Sequence, residues 1–186
     1  MENYKKTLSK YKILESDRLR LRPFNSDDAY DVFEYARDEI VTKYLQWPPH
    51  ENFKQTEKIL KDSFIDKDSV YAIVLKSENK CIGCIELRLI EKHDKANFGY
   101  VLNRKYWNNG YMTEALDLIL DLAFRNLKLN RVEATYYVGN DGSGRVMEKC
   151  GMIFEGRGRQ EVKIKGRYYD VNHYAILRND WESTNC

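Results

Sequence analysis

Arg104-Lys105-Tyr106-Trp107-Asn108-Asn109-Gly110-Tyr111-Met112-Thr113-Glu114-Ala115 joins an extended segment of alternating apolar residues to a long amphipathic one. It reads as the end of a strand, a loop and the start of a helix. Asn108, Asn109 and Gly110 are residue types that turn a backbone sharply and tolerate positive φ. The helix that follows offers unpaired amide N–H groups at its first turn, and its dipole adds roughly half a positive charge there. A phosphate or pyrophosphate can bind at such a junction mainly through backbone, with the Thr113 hydroxyl in reach. By local pattern alone, a plain Asn-Gly turn explains the same residues.

The neighbouring segments give the junction its setting. Ala115, Leu116, Ile119, Leu120, Ala123 and Phe124 recur at helical spacing from Met112 to Leu127. A strand follows at Arg131 to Val138, and this strand-helix-strand crossover favours one parallel pair. Upstream, Val70 to Leu75, Cys81 to Ile90 and Ala96 to Leu102 read as an antiparallel meander. Downstream, Phe154 to Lys163 and Tyr168 to Arg178 close as a hairpin across Lys165-Gly166. Near the beginning, Arg18 to Phe24 is a first strand, and Asn25-Ser26-Asp27-Asp28 is helix-start chemistry before Ala29, Val32, Phe33 and Ala36. Val41 to Phe53, aromatic and broken by Pro48-Pro49, reads as an ordered loop or short helix pair before a helix at about Lys54 to Ile65. Residues 1–13 are basic and loosely patterned, which predicts an extension with limited packing.

Composition narrows the classes. The 186 residues are the length of one domain, so residues 1–186 are read as a single unit. A net charge of +2 does not argue for direct DNA binding. No signal-like or membrane-length apolar run occurs, so the expectation is a cytoplasmic protein without membrane contact. Cys81-Ile82-Gly83-Cys84 has a C-x-x-C form. In a regular strand, residues three apart point to opposite faces roughly 10 Å apart. Buried thiols are therefore expected, and no metal. His50, His93 and His173 show no nucleophile partner and are expected at the surface.

A second junction, Asn140-Asp141-Gly142-Ser143 running to Glu148-Lys149-Cys150-Gly151, completes a pattern. With Leu14 to Phe24, Ile82 to Glu86, Phe98-Gly99-Tyr100 and Tyr106 to Ala115, the chain resembles the GNAT superfamily of acyl-CoA N-acyltransferases. Within it, the chain resembles the RimJ/RimL-like branch, which acetylates N-terminal amines of ribosomal proteins; Glu155-Gly156, Asp170 and Tyr174 extend the match. The resemblance implies an α+β fold: a strongly twisted, mostly antiparallel sheet of six to seven strands, one central parallel pair, and about four flanking helices. It implies acetyl-CoA as cosubstrate and direct transfer to a primary amine. The acceptor implied first is a protein N-terminus; small amines such as polyamines, aminosugars or amino-acid derivatives, and a non-catalytic acyl-CoA sensor, stay open. So does a homodimer.

By the same resemblance, Val101, Leu102, Trp107, Asn108, Asn109, Gly110, Tyr111, Met112, Thr113, Asn140, Ser143 and Lys149 would hold the cofactor, with Arg145 an alternative to Lys149. Asn108 and Met112 stand where glycine and a small residue are usual. A bulge at Phe98 to Leu102 would turn the Tyr100 region's backbone N–H toward the thioester carbonyl. Met147 occupies the place of a common tyrosine donor; Ser143, one turn away on the same face, would serve the departing sulfur, or else cap the helix. Glu86 would be the base if burial raises its pKa, an idea that a salt bridge to Arg88 undoes. Asn97 stands where glutamate is frequent, and Tyr136 would hold an ordered water. Tyr44 and Trp47 fall in the acceptor region. A peptide acceptor predicts an open groove between Tyr44 to Pro49 and Lys163 to Tyr169; a small amine predicts a closed pocket with acidic lining.

Overall fold

A computed structural model describes residues 2–185. Its strands are β1 (Leu14–Glu15), β2 (Leu19–Arg22), β3 (Val70–Leu75), β4 (Lys80–Ile90), β5 (Lys95–Leu102), β6 (Arg131–Tyr137), β7 (Ile153–Ile164) and β8 (Arg167–Leu177). They form one sheet in the order β1-β2-β3-β4-β5-β6-β8-β7, in which only β5 and β6 run parallel. The helices are α1 (Glu2–Leu8), α2 (Ala29–Ala36), α3 (Glu39–Thr42), α4 (Phe53–Ser63), α5 (Tyr111–Asp121), α6 (Asp141–Lys149) and α7 (Arg178–Asn185). The α+β architecture is the expected one. The two-residue β1 and the short α1, α3 and α7 raise the counts above the expected six to seven strands and four helices.

The sheet carries a core on each face. On one, α2 and α4 bury Phe24, Val32, Tyr35 and Leu60 against Ala72, Val74 and the Cys81 and Cys84 side chains. On the other, α5 buries Met112, Ala115, Leu116, Ile119 and Leu120 against Ile73, Ile85 and Leu87. Each such side chain contributes about 2 kcal/mol through removal of apolar area from water. The α5 helix is continued by a π-helical turn, Leu122–Asn126, in which the Leu127 N–H donates to the Leu122 carbonyl at 2.9 Å. The widened turn lets Leu122, Ala123 and Phe124, three residues in a row, all be buried. The expected cap at Asn25 forms as a capping box with Asp28. At the closing hairpin, Lys165 (φ 48°) and Gly166 (φ 82°) are both left-handed, as a tight two-residue loop requires.

Three expectations are corrected. The first residues are not a loose extension: α1 places Leu8 in the core, the Tyr4 hydroxyl donates to Asp94 at 2.6 Å, and Tyr71 donates to the Tyr11 carbonyl at 3.1 Å. Tyr4, Leu8 and Tyr11 are spaced four and three apart, a helical stripe obscured by the lysines between them. The two C-x-x-C thiols share a face. A register shift opposite Ile73 and Val74 pairs them with Gly83 and Cys81, so Ile82 is an extra residue and the bulge turns Cys81 to the side of Cys84. Both thiols are buried, and burial pushes both thiol pKa values up. His50 is buried rather than exposed, its Nδ1 2.8 Å from the Thr56 hydroxyl, and burial lowers its pKa.

Candidate active site

The site begins where the sheet splits. β5 and β6 pair only through Lys95↔Arg131, Ala96↔Val132 and Asn97↔Glu133, then diverge. The opposite edge of β5 stays in register with β4 without a shift as far as Leu102, so the expected bulge at Phe98 to Leu102 is absent. Splaying, and not a bulge, is what leaves β5 amides without a strand partner here. The Asn103 N–H donates to the Ile82 carbonyl at 2.8 Å. By the two-residue alternation of a strand, the amides of residues 97, 99 and 101 also turn toward β4, whereas that of Tyr100 turns into the wedge beyond the end of the β6 ladder.

The wedge opens into a cleft of about 580 Å³, within the range of roughly 300–1,000 Å³ typical of small-molecule sites. Of the residues singled out for the cofactor, Val101, Leu102, Trp107, Asn108, Gly110, Tyr111, Met112, Thr113, Asn140, Ser143 and Lys149 line it. Asn109 does not: its amide folds back onto the Trp107 carbonyl at 2.9 Å. Asn108 adopts φ 62° and Gly110 φ 79°, the left-handed turn anticipated from their types. Gly110 is the N-cap of α5 and gives it no side-chain cap, so the first-turn amides stay open to an anion. The Met112 side chain turns into the core, 5% exposed, which accommodates its bulk while its backbone stays in the first turn of α5. Trp107 anchors the loop through its indole N–H to the Leu102 carbonyl at 2.8 Å.

Lys43, Arg145 and Lys149 stand along the cleft, and among the described lining residues Asp141 is the one carboxylate. That balance suits phosphate groups. The far wall is α6. Ser143 lies inside its first turn and is not the cap; its Oγ accepts from Asn140 Nδ2 at 3.1 Å, which leaves the hydroxyl proton for another acceptor in the cleft. The Tyr100 hydroxyl donates to the Ser143 carbonyl at 3.2 Å, tying β5 to α6, and burial pushes its phenol above the usual range. Met147 is buried beneath α6.

The remaining candidates lie elsewhere. Glu86 is outside the cleft lining and is ion-paired with Arg88 at 2.6 Å, the salt bridge that undoes its reading as the base. Asn97 sits opposite Arg88 and Glu133 in the ladders, also outside the lining. Trp47 packs on His50, ring centroids 5.1 Å apart, and supports the second core. The Tyr136 ring lies against Gly144 of α6 and 5.8 Å from Tyr174, a core position that does not reach the cleft. Tyr44 does line the cleft, and its hydroxyl donates to the Gly139 carbonyl at 2.8 Å.

Residues 18–153 match the family described as Acetyltransferase (GNAT) domain. This chain belongs to the GNAT family of acetyltransferases. Its branch is the RimJ/RimL-like one, and with the family the sensor reading gives way to an N-acetyltransferase that uses acetyl-CoA. The crystal structure of the acetyltransferase (GNAT family) from Bacillus anthracis resembles this GNAT chain with a TM-score of 0.82 and 30% identity, over 90% of this chain and 99% of that one. The putative ribosomal N-acetyltransferase YdaF of Bacillus subtilis is 31% identical over 64% of this chain and 65% of its own. The spermidine N(1)-acetyltransferase of Vibrio cholerae is 25% identical over 89% and 96% respectively.

Two features of the GNAT site were not read from the sequence. Arg18 and Glu114 meet behind the 107–110 loop, and Ser16 donates to Glu114 at 2.6 Å. Arg18 is adjacent to the alternating Leu19 and Leu21 of β2, and Glu114 follows Thr113; their separation in sequence hid the pair. The hairpin between β7 and β8 also reaches across: Lys165 Nζ donates to the Thr42 carbonyl at 2.7 Å, and the Tyr44 and Tyr169 rings lie 6.0 Å apart. The groove is bridged rather than open.

Proposed function

We propose that the chain transfers acetyl from acetyl-CoA directly to the N-terminal amine of a protein. The observation that carries this is the wedge: the Tyr100 amide facing a cleft whose other end is the open first turn of α5. With acetyl-CoA bound, the first-turn amides and the cations along the cleft hold its phosphates, and the Tyr100 N–H donates to the thioester oxygen as charge develops on it. The neutral amine attacks the carbonyl carbon and the C–S bond breaks. The Ser143 hydroxyl passes its proton to the departing sulfur while Asn140 holds its oxygen, and it is reprotonated by the water that takes up the proton of the attacking amine.

The likeness to a putative ribosomal N-acetyltransferase supports a protein N-terminus, and so does the near absence of carboxylates that a polyamine needs. Glu133 and Glu161, on β6 and β7, are already paired with Lys95 and His173 at 2.8 and 2.7 Å. The Lys165 bridge is one part-buried hydrogen bond from a charged donor, worth about 1.5–3 kcal/mol, which an arriving chain can displace. A small-amine acceptor is the second reading, favoured by that bridge and by the spermidine-acetylating relative. Acetyl transfer to a set of peptides differing in their first residue, run beside spermidine and spermine, separates them. Peptide turnover at least tenfold above polyamine turnover is expected. Turnover confined to polyamines overturns the peptide reading.

A further inference from the structure

Residues 107–110 of the loop are exposed, and two of them, Asn108 and Gly110, have left-handed backbones. Something outside the loop must therefore fix its shape. Arg18, just before β2, reaches it: Nη1 donates to the Asn109 carbonyl at 3.1 Å, and the guanidinium stacks over the Tyr111 ring at 4.6 Å. The same guanidinium holds Glu114, with Nε 2.7 Å from Oε2, while the Arg18 N–H and Ser16 hydroxyl take Oε1 at 3.1 and 2.6 Å. Glu114 stands in the first turn of α5 and is partly buried. Left alone, its carboxylate would oppose a phosphate at the same helix end, since both are anions drawn to the same amides.

We infer that Arg18 is a positioning residue for acetyl-CoA: it pins the loop carbonyl in place and cancels the Glu114 charge beside the phosphate site. The inference rests on the cofactor reading above and adds a residue that touches no substrate. Burial raises the Glu114 pKa, but the bonds from Ser16 and Arg18 outweigh it and hold the carboxyl below its usual range, so the group is charged at neutral pH. The ion pair therefore persists under assay conditions.

Steady-state kinetics on Arg18→Ala, Glu114→Gln and the double variant test it. Arg18→Ala is expected to raise the KM for acetyl-CoA about tenfold and leave the acceptor KM unchanged, because a loop displaced by a fraction of an ångström misplaces the donors. Adding Glu114→Gln removes the stranded charge and is expected to recover part of that loss. If Arg18→Ala lowers only the unfolding midpoint, with the acetyl-CoA KM unchanged, or if Glu114→Gln deepens the loss, Arg18 is a strut and the inference fails. Should Arg18→Ala not fold, Arg18→Lys keeps the charge without the fork and is expected to show an intermediate KM; a wild-type KM there overturns the proposal. A wild-type enzyme that does not bind acetyl-CoA overturns the cofactor reading itself, and this inference with it.

Discussion

Ser143→Ala is expected to lower kcat about 100-fold and to leave the KM for acetyl-CoA within about threefold of wild type. Donation to a leaving group by a positioned side chain contributes roughly 10²–10⁴ in rate. In this site the usual tyrosine position holds the buried Met147, so Ser143 is the hydroxyl in the α6 wall of the cleft. Its oxygen is already engaged by Asn140 Nδ2, so its proton points away from that bond and remains to be donated. Cofactor affinity depends on backbone amides and cations, which the substitution leaves alone. Presteady-state turnover with a good acceptor reads the chemical step directly. A variant with wild-type kcat would show that water, and not Ser143, meets the sulfur.

Gly83→Ala is expected to lower the unfolding midpoint by about 6–12 °C, from a destabilisation of about 3 kcal/mol. A Cβ on Gly83 would stand 2.4 Å from the Val101 carbonyl oxygen and 3.2 Å from the Leu102 Cα. These are backbone atoms of β5 at the wall of the cleft, so the strand must move rather than a side chain swing away. The effect comes on top of the bulge at Ile82, which already fixes how β3 meets β4. Gly142→Ala is the control: nothing lies within 4 Å of its added Cβ, it sits in α6, and the exchange is expected to be neutral or slightly stabilising. Equal midpoints for the two variants would contradict the close packing of β4 on β5.

Most of the fold was legible because its elements are periodic and their turns chemically marked. Val70–Leu75 has the bounds read from its apolar run, and the Asn25 cap and Lys165-Gly166 turn form as their residue types require. What was not legible depends on long-range geometry. The C-x-x-C thiols share a face because of a one-residue bulge that no local pattern announces. Among the described residues of α7 one side chain is buried, Trp181, 5.5 Å from Phe124, too sparse for a periodicity to show. In the site, the left-handed loop and the Asn140–Ser143 pair follow from residue type and spacing, whereas Arg18 and Glu114 are 96 residues apart and meet only in three dimensions. Glu86 is the opposite case: its partner Arg88 is two residues on and on the same face, the salt bridge that the strand's alternation already allowed for.

In the proposed mechanism acetyl-CoA enters the wedge between β5 and β6 with its phosphates at the α5 N-terminus. The most direct test is the thermal unfolding midpoint with saturating acetyl-CoA, set against an equal concentration of free adenine nucleotide. Ligand at a hundredfold excess over its dissociation constant stabilises the folded state by about 2.7 kcal/mol, which raises the midpoint of a chain this size by about 5–10 °C. A rise of that order with acetyl-CoA, and little with the nucleotide alone, is the predicted result. An unchanged midpoint, or equal rises with both ligands, would contradict it.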